Sequence, residues 1–119
     1  MVTNKRALGN VGEDMAIPYL EARDYIIIDR NATFPGGEID IIAQRNEIWR
    51  FVEVKYRETT VFGMPEDAMT PKKIKTLLRS IETYCSKKDI NMAQVRLDFL
   101  GILKMSDGTC EYRLIQDIS

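Results

Sequence analysis

Asp40, Glu53 and Lys55 have the types and spacing that phosphodiester chemistry asks for. In Glu38-Ile39-Asp40-Ile41-Ile42 a strand's period of two sends Glu38 and Asp40 to one face and Ile39 and Ile41 to the other. In Phe51-Val52-Glu53-Val54-Lys55 the same rule groups Glu53 with Lys55. Arg45-Asn46-Glu47 reads as the turn between the two strands. If that turn is symmetric about Asn46 and Glu47, the numbers of paired residues sum to 93 and Asp40 faces Glu53, with Cβ atoms about 5 Å apart. Two like charges so placed repel unless a cation lies between them. A hard divalent ion, Mg2+ or Mn2+, takes oxygen ligands and is commonly held by one or two carboxylates plus water and substrate phosphate. The backbone carbonyl of Val54 offers one more oxygen. Lys55 is placed to orient or deprotonate the attacking water, or to balance charge on a phosphoryl transition state.

The rest of the composition narrows the chemistry by exclusion. The chain has 119 residues and no histidine, which removes Ser-His-Asp and Cys-His catalysis, the usual zinc hydrolases and imidazole proton shuttles. Cys85 and Cys110 do not make a disulfide framework or a zinc cage. An apolar share of 45% and a charged share of 29% are those of a globular chain, and the length suits a single domain over residues 1–119. No apolar run approaches the roughly 20 residues of a membrane span, and no basic-then-apolar leader opens the chain, so a cytoplasmic protein with no membrane partner is expected. Net charge is −1, yet Lys72, Lys73, Lys75, Arg79, Lys87 and Lys88 face only Glu82, a local charge of +5 able to hold phosphate.

These residues need elements to position them. Asn4 is a candidate cap for a first helix reaching about Arg23, with apolar positions at Leu8, Val11, Met15, Tyr19 and Leu20; Pro18 predicts a kink or break. The small residues Gly9, Gly12 and Ala16 let another element approach Glu13. Tyr25 to Asp29 reads as a short strand and Asn31 through Gly37 as turn. The hairpin follows, then a loop from Glu58 to Met69. Thr70 caps a helix with Pro71 at its first position and Ile74, Leu77, Leu78, Ile81, Tyr84 and Cys85 on one stripe, the lysines opposite. Val95 to Leu103 and Glu111 to Ile115 are strands about an Asp107-Gly108 turn. The expected fold class is α/β, in the order α-β-β-β-α-β-β, with a mixed central sheet flanked by helices.

Asp40 followed by Glu53-Val54-Lys55 at the end of an apolar strand resembles the core of the PD-(D/E)XK, or restriction-endonuclease-like, nuclease superfamily, and is similar to archaeal Holliday-junction resolvases. The wider set is more specific: Arg6-Ala7-Leu8-Gly9, Gly12-Glu13, Tyr19-Leu20, Arg30-Asn31, Gly37 to Ala43, Phe51 to Lys55 with Arg57, Phe62-Gly63, and Arg96 to Asp98. Spanning nearly the whole chain, it resembles the YraN-type family of bacterial endonuclease-like proteins. Ile39 replaces the proline of the superfamily name, and Asp24 stands where relatives tend to have glycine. The resemblance implies a metal-dependent nuclease fold with Glu13, Asp40, Glu53 and Lys55 at its site, and it brings no substrate with it.

Without that wider pattern, Asp40, Glu53 and Lys55 would read as a solvated sheet face, because surface carboxylate–lysine pairs are common and weak. The expected metal ligands are Asp40, Glu53 and the Val54 carbonyl, with Glu13 supporting, and Glu38 is placed at the rim. Arg57, Lys72, Lys73 and Lys75 are the candidates for nucleic-acid phosphate, Arg57 because guanidinium grips phosphate in bidentate fashion. Trp49 and Tyr56 are assigned to packing over base stacking, Cys85 and the methionines to the core, and Arg96 and Asp98 to a mutual pair. The resulting expectation is metal-dependent hydrolysis of phosphodiester bonds, in DNA, including branched or junction DNA. The alternatives are a nucleic-acid-binding module without turnover and a protein-interaction module retaining the fold. A domain of this size with modest basic surface would grip long DNA as a homodimer or with a larger protein partner.

Overall fold

Asn46 and Glu47 both take left-handed backbone angles, φ 51° and 66°, the pattern of a two-residue hairpin whose twist matches its strands. That turn joins β2 (Gly37–Arg45) to β3 (Ile48–Arg57), and their pairing runs from Arg45 opposite Ile48 to Ile41 opposite Val52, the register expected from the sequence. The computed structural model describes residues 5–119, with side chains from Val11 onward. The expectations for Asn4, Leu8, Gly9 and the Arg6 to Gly9 motif lie outside the described residues or side chains.

The other elements are α1 (Lys5–Glu21), β1 (Ile26–Phe34), α2 (Pro71–Lys88), β4 (Val95–Lys104) and β5 (Cys110–Ile115), with short 3-10 turns at Pro65–Ala68 and Met92–Gln94. The five strands form one sheet in the order β1-β2-β3-β4-β5. Neighbours are antiparallel except β3 and β4, which run parallel because α2 carries the chain back across the sheet between them. The fold class is the α/β arrangement expected, with a helix on each face. On one face Ala16 and Leu20 of α1 bury Ile41, Ala43, Val52, Leu100 and Ile102. On the other Leu77, Ile81, Tyr84 and Cys85 of α2 bury Ile39, Ile42, Phe51 and Leu97.

Thr70 accepts a hydrogen bond from the Lys73 N–H (3.2 Å), so α2 starts at Pro71 as its signals require. Both helices end with an aspartate in the left-handed region, Asp24 at φ 68° and Asp89 at φ 55°, and with a turn-closing bond, Tyr25 N–H to Leu20 O (3.1 Å) and Ile90 N–H to Cys85 O (2.9 Å). The conformation at Asp24 is the one glycine adopts most freely and one that aspartate tolerates.

Several expectations need correction. Helix α1 does not break at Pro18 but continues to Glu21, and Pro18 O still receives the Ala22 N–H at 3.0 Å. Val11 is exposed, and the buried stripe of α1 runs through Gly12, Glu13, Ala16 and Leu20 instead. The segment read as turn from Asn31 is strand as far as Phe34, since Ala32 and Phe34 pack on the α2 face; only Pro35 and Gly36 (φ 88°) turn. Asn31 takes φ 55° inside β1, which is why its neighbourhood looked like a turn. Met92 and Met105 are exposed, outside the core assigned to the methionines. Trp49 and Tyr56 pack as expected, Trp49 against Tyr84 with ring centroids 6.3 Å apart and Tyr56 against the α1 side.

Candidate active site

The strand alternation in β2 breaks at Asp40. Ile39 packs toward α2 whereas Ile41 packs toward α1, so the two do not share a face as a regular strand would require. Asp40 has no ladder partner on either side: β1 pairs Arg30 with Ile41 and Ala32 with Ile39, skipping left-handed Asn31, and pairing with β3 stops at Ile41. The freed carboxylate fills the gap. Its Oδ2 accepts the Val54 N–H at 2.9 Å, doing for β3 what the backbone ladder no longer does.

This bond brings Asp40 beside Glu53, as the sequence register required, but by way of an opened strand edge instead of a regular cross-strand pair. Burial, followed by the hydrogen bond and charge of Glu53, pushes the Asp40 carboxyl up to about 9, against the lowering effect of the Val54 N–H. Glu53 is 9% exposed and is held by Lys73, whose Nζ lies 3.1 Å from Oε2. Lys73 was assigned to phosphate; here it neutralises Glu53. Its placement follows from the Thr70-Pro71 start of α2, which sets Lys73 in the first helical turn beside β3. That signal is present in the sequence.

Glu13 arrives from the other face. Gly12 permits it: a Cβ there would stand 2.9 Å from Tyr56 Cβ, so only glycine lets α1 lie this close to β3. Glu13 is 5% exposed and its Oε1 has no hydrogen-bond partner among the described residues. Arg30 Nη2 lies 3.9 Å from it and is engaged at 2.7 Å by Asp14. Desolvation outweighs Arg30 and raises the Glu13 carboxyl above the usual carboxylate range, with Glu38 and Glu53 adding to the rise. Glu38 is exposed, at the rim.

A cleft of about 340 Å3 opens in front of Glu53, lined by Glu53, Val54, Lys55, Ala68, Met69, Lys73 and Phe99. Lys55 is exposed on it and has no ion-pair partner among the described residues. Arg57 is half-buried with Nε lacking a partner, while Lys72 and Lys75 are exposed on α2. The structure therefore unites Asp40, Glu53, Lys55 and Lys73 and sets Glu13 beside them.

No three acidic or thiol side chains among the described residues close into a metal cage. Two neighbouring carboxylates, one of them resisting ionisation, are nonetheless the donor set that a hydrated hard cation needs, and the unpartnered Glu13 oxygen supplies a third acid at the margin.

One polar cluster was misread in the sequence. Asp98, fully buried, accepts from Tyr25 OH (2.7 Å), Arg50 Nη1 (3.1 Å) and the Asp117 N–H (3.0 Å). Arg96, the partner expected for it, turns to the carbonyls of Ala93 and Val95, because strand β3 brings Arg50 alongside Asp98 first.

The model of the uncharacterised protein family UPF0102 matches residues 12–102. A UPF0102 protein from Flavobacterium johnsoniae is 40% identical over 107 residues, covering 85% of this chain and 85% of its own. One from Carboxydothermus hydrogenoformans is 39% identical over 99 residues (83% and 84%), and one from Dictyoglomus thermophilum 36% over 105 residues (88% and 89%).

Proposed function

For a chain that belongs to the uncharacterised protein family UPF0102, the YraN-type family recognised in its sequence, we propose metal-dependent hydrolysis of phosphodiester bonds in nucleic acid, with DNA as the substrate. The observation that carries this reading is the pairing of Asp40 and Glu53 at the opened edge between β2 and β3, with Lys55 exposed on the cleft that Glu53 lines. Asp40, Glu53 and the Val54 carbonyl would hold Mg2+ or Mn2+, with Glu13 supporting from α1. When bound, the ion supplies Lewis-acid stabilisation of charge on the scissile phosphate.

The chain's own residues do the rest. Asp40 gives up its proton, since only the carboxylate is a ligand, and stays oriented by the Val54 N–H. Lys73, paired with Glu53 here, would be released toward the phosphate were a cation to take its place on that carboxylate. Lys55 orients the attacking water and offsets charge at the transition state, and Arg57 with Lys72 and Lys75 holds flanking phosphates.

A divalent-dependent nicking assay tests the proposal. Wild type should nick, Asp40→Ala and Glu53→Ala should not, and equal activity in all three would refute the mechanism. The Lys73–Glu53 pair favours one second reading, a nucleic-acid-binding module without turnover. That reading requires binding that weakens steeply with salt and no cleavage with any divalent ion.

A further inference from the structure

Strand β3, having carried Glu53, Lys55 and Arg57, leads into a tight turn whose corners are Val61 and Phe62. The Gly63 N–H closes it on Thr60 O (2.9 Å) and the Val61 N–H donates to Thr59 Oγ1 (3.2 Å). Asp67 Oδ2 accepts the Met64 N–H (2.8 Å), and Gly63, at φ 104°, lies so close to Asp67 that a Cβ there would meet that oxygen at 2.7 Å. The backbone is thus pinned on both sides. On this pinned turn Phe62 is 81% exposed and Val61 77%, the two most exposed large apolar side chains described.

Two side chains are far too little surface for a stable protein interface, which needs about 800 Å2 from each partner. They match one planar, uncharged group. The charges around the turn say what that group is attached to. Its acids are already engaged: Glu58 lies 3.7 Å from Lys104, Glu66 is 2.7 Å from Arg113, and Asp67 serves the turn. Lys55 and Arg57, on the strand leading in, have no carboxylate partner among the described residues. A flat apolar ring on the turn that follows two cations without carboxylate partners fits a nucleobase on a phosphate backbone. Lys55 and Phe62 are seven residues apart in the chain, hence within about 24 Å, the span of about seven nucleotides of one strand.

We propose that Phe62, backed by Val61, stacks on an unpaired base within about seven nucleotides of the cleaved phosphodiester, making this a protein for DNA that carries a single-stranded branch or fork. The inference rests on the nucleic-acid reading above and adds the substrate class to it. In an intact duplex both faces of each base are already stacked, and a rigid turn has nothing to cover. A base beyond a fork has a free face.

The test compares an intact duplex with a forked duplex of the same sequence carrying 2-aminopurine as its first unpaired base, both with Ca2+ present to prevent turnover. Wild type should bind the fork about tenfold more tightly and change the 2-aminopurine fluorescence on binding. Phe62→Ala should erase the preference and the fluorescence change, and Phe62→Trp should retain both. All three proteins should melt alike, because so exposed a ring contributes little to the fold. Equal binding of fork and duplex by wild type, or an undiminished preference in Phe62→Ala, overturns the proposal. Metal-dependent nicking without fork preference sinks this inference alone, whereas no binding of either DNA by wild type sinks the nuclease reading with it.

Discussion

Replacing Asp40 by Asn should make the metal-free protein more stable at alkaline pH, an unusual direction for removing a charged group from a candidate site. Folding raises the Asp40 carboxyl from the ordinary aspartate range to about 9. Such a group binds its proton more tightly folded than unfolded, so its contribution is full at about pH 4 and is lost as pH climbs toward 9. Between pH 5 and pH 8 the single-site limit is about 4 kcal/mol, three pH units at about 1.4 kcal/mol each. The proton is shared with Glu53, so the titration belongs to the pair, and about 4 kcal/mol is its upper limit. Asn keeps the acceptor for the Val54 N–H and does not ionise, so it removes the pH dependence while preserving the contact. Urea unfolding in EDTA at pH 5 and pH 8 measures it: wild type should lose up to about 4 kcal/mol more than Asp40→Asn between the two, equivalent to as much as about 16 °C in melting temperature. Millimolar Mg2+ at pH 8 should stabilise wild type, by about 2.7 kcal/mol at a hundred times its Kd, and leave Asp40→Asn unchanged. Identical pH profiles for the two proteins, or equal stabilisation of both by Mg2+, would refute the reasoning.

Gly12→Ala should cost about 1–3 kcal/mol in urea unfolding, because its Cβ would press on Tyr56 Cβ at 2.9 Å and push α1 from β3. Asp98→Ala should cost about 1–3 kcal/mol by leaving the Tyr25 hydroxyl without its buried acceptor and Arg50 with Asp117 alone, and hydrogen exchange at the Asp117 and Ile118 amides should speed up as the C-terminal segment loses its anchor. Lys73→Met should tighten Mn2+ binding a few-fold, measured by calorimetry, by removing the cation that competes for Glu53, and should weaken nucleic-acid binding at the same time. Unchanged Mn2+ affinity in Lys73→Met would place the ion away from Glu53.

The hairpin register was legible because it depends on local chemistry alone. Asn46 fits a left-handed turn position and Glu47 tolerates one, and once the turn is fixed, every cross-strand pair from Ile48 to Val52 follows by counting. The lysine face of α2, its Thr70 cap and its apolar stripe were legible for the same reason. The length of β1 was not, because Asn31 and Gly36 are turn formers by preference and only contact with α2 decides that Ala32 and Phe34 lie in a strand. The Asp98 partner was not either: Arg96 is two residues away, while Arg50 is 48 residues away and adjacent only through the parallel β3–β4 ladder.

Residue types and short spacings, then, determined which atoms are available: two acids and an amine on neighbouring strands, a lysine-faced helix, and no imidazole. These are properties of a few consecutive residues and of one turn. Tertiary packing decided what those atoms do to one another. It broke the ladder at Asp40, turned that carboxylate onto the Val54 N–H, brought Lys73 to Glu53 and brought Glu13 in from the opposite face through Gly12. Ionisation and charge pairing depend on burial and on distances of a few ångströms between remote segments, and those are set only when the segments pack.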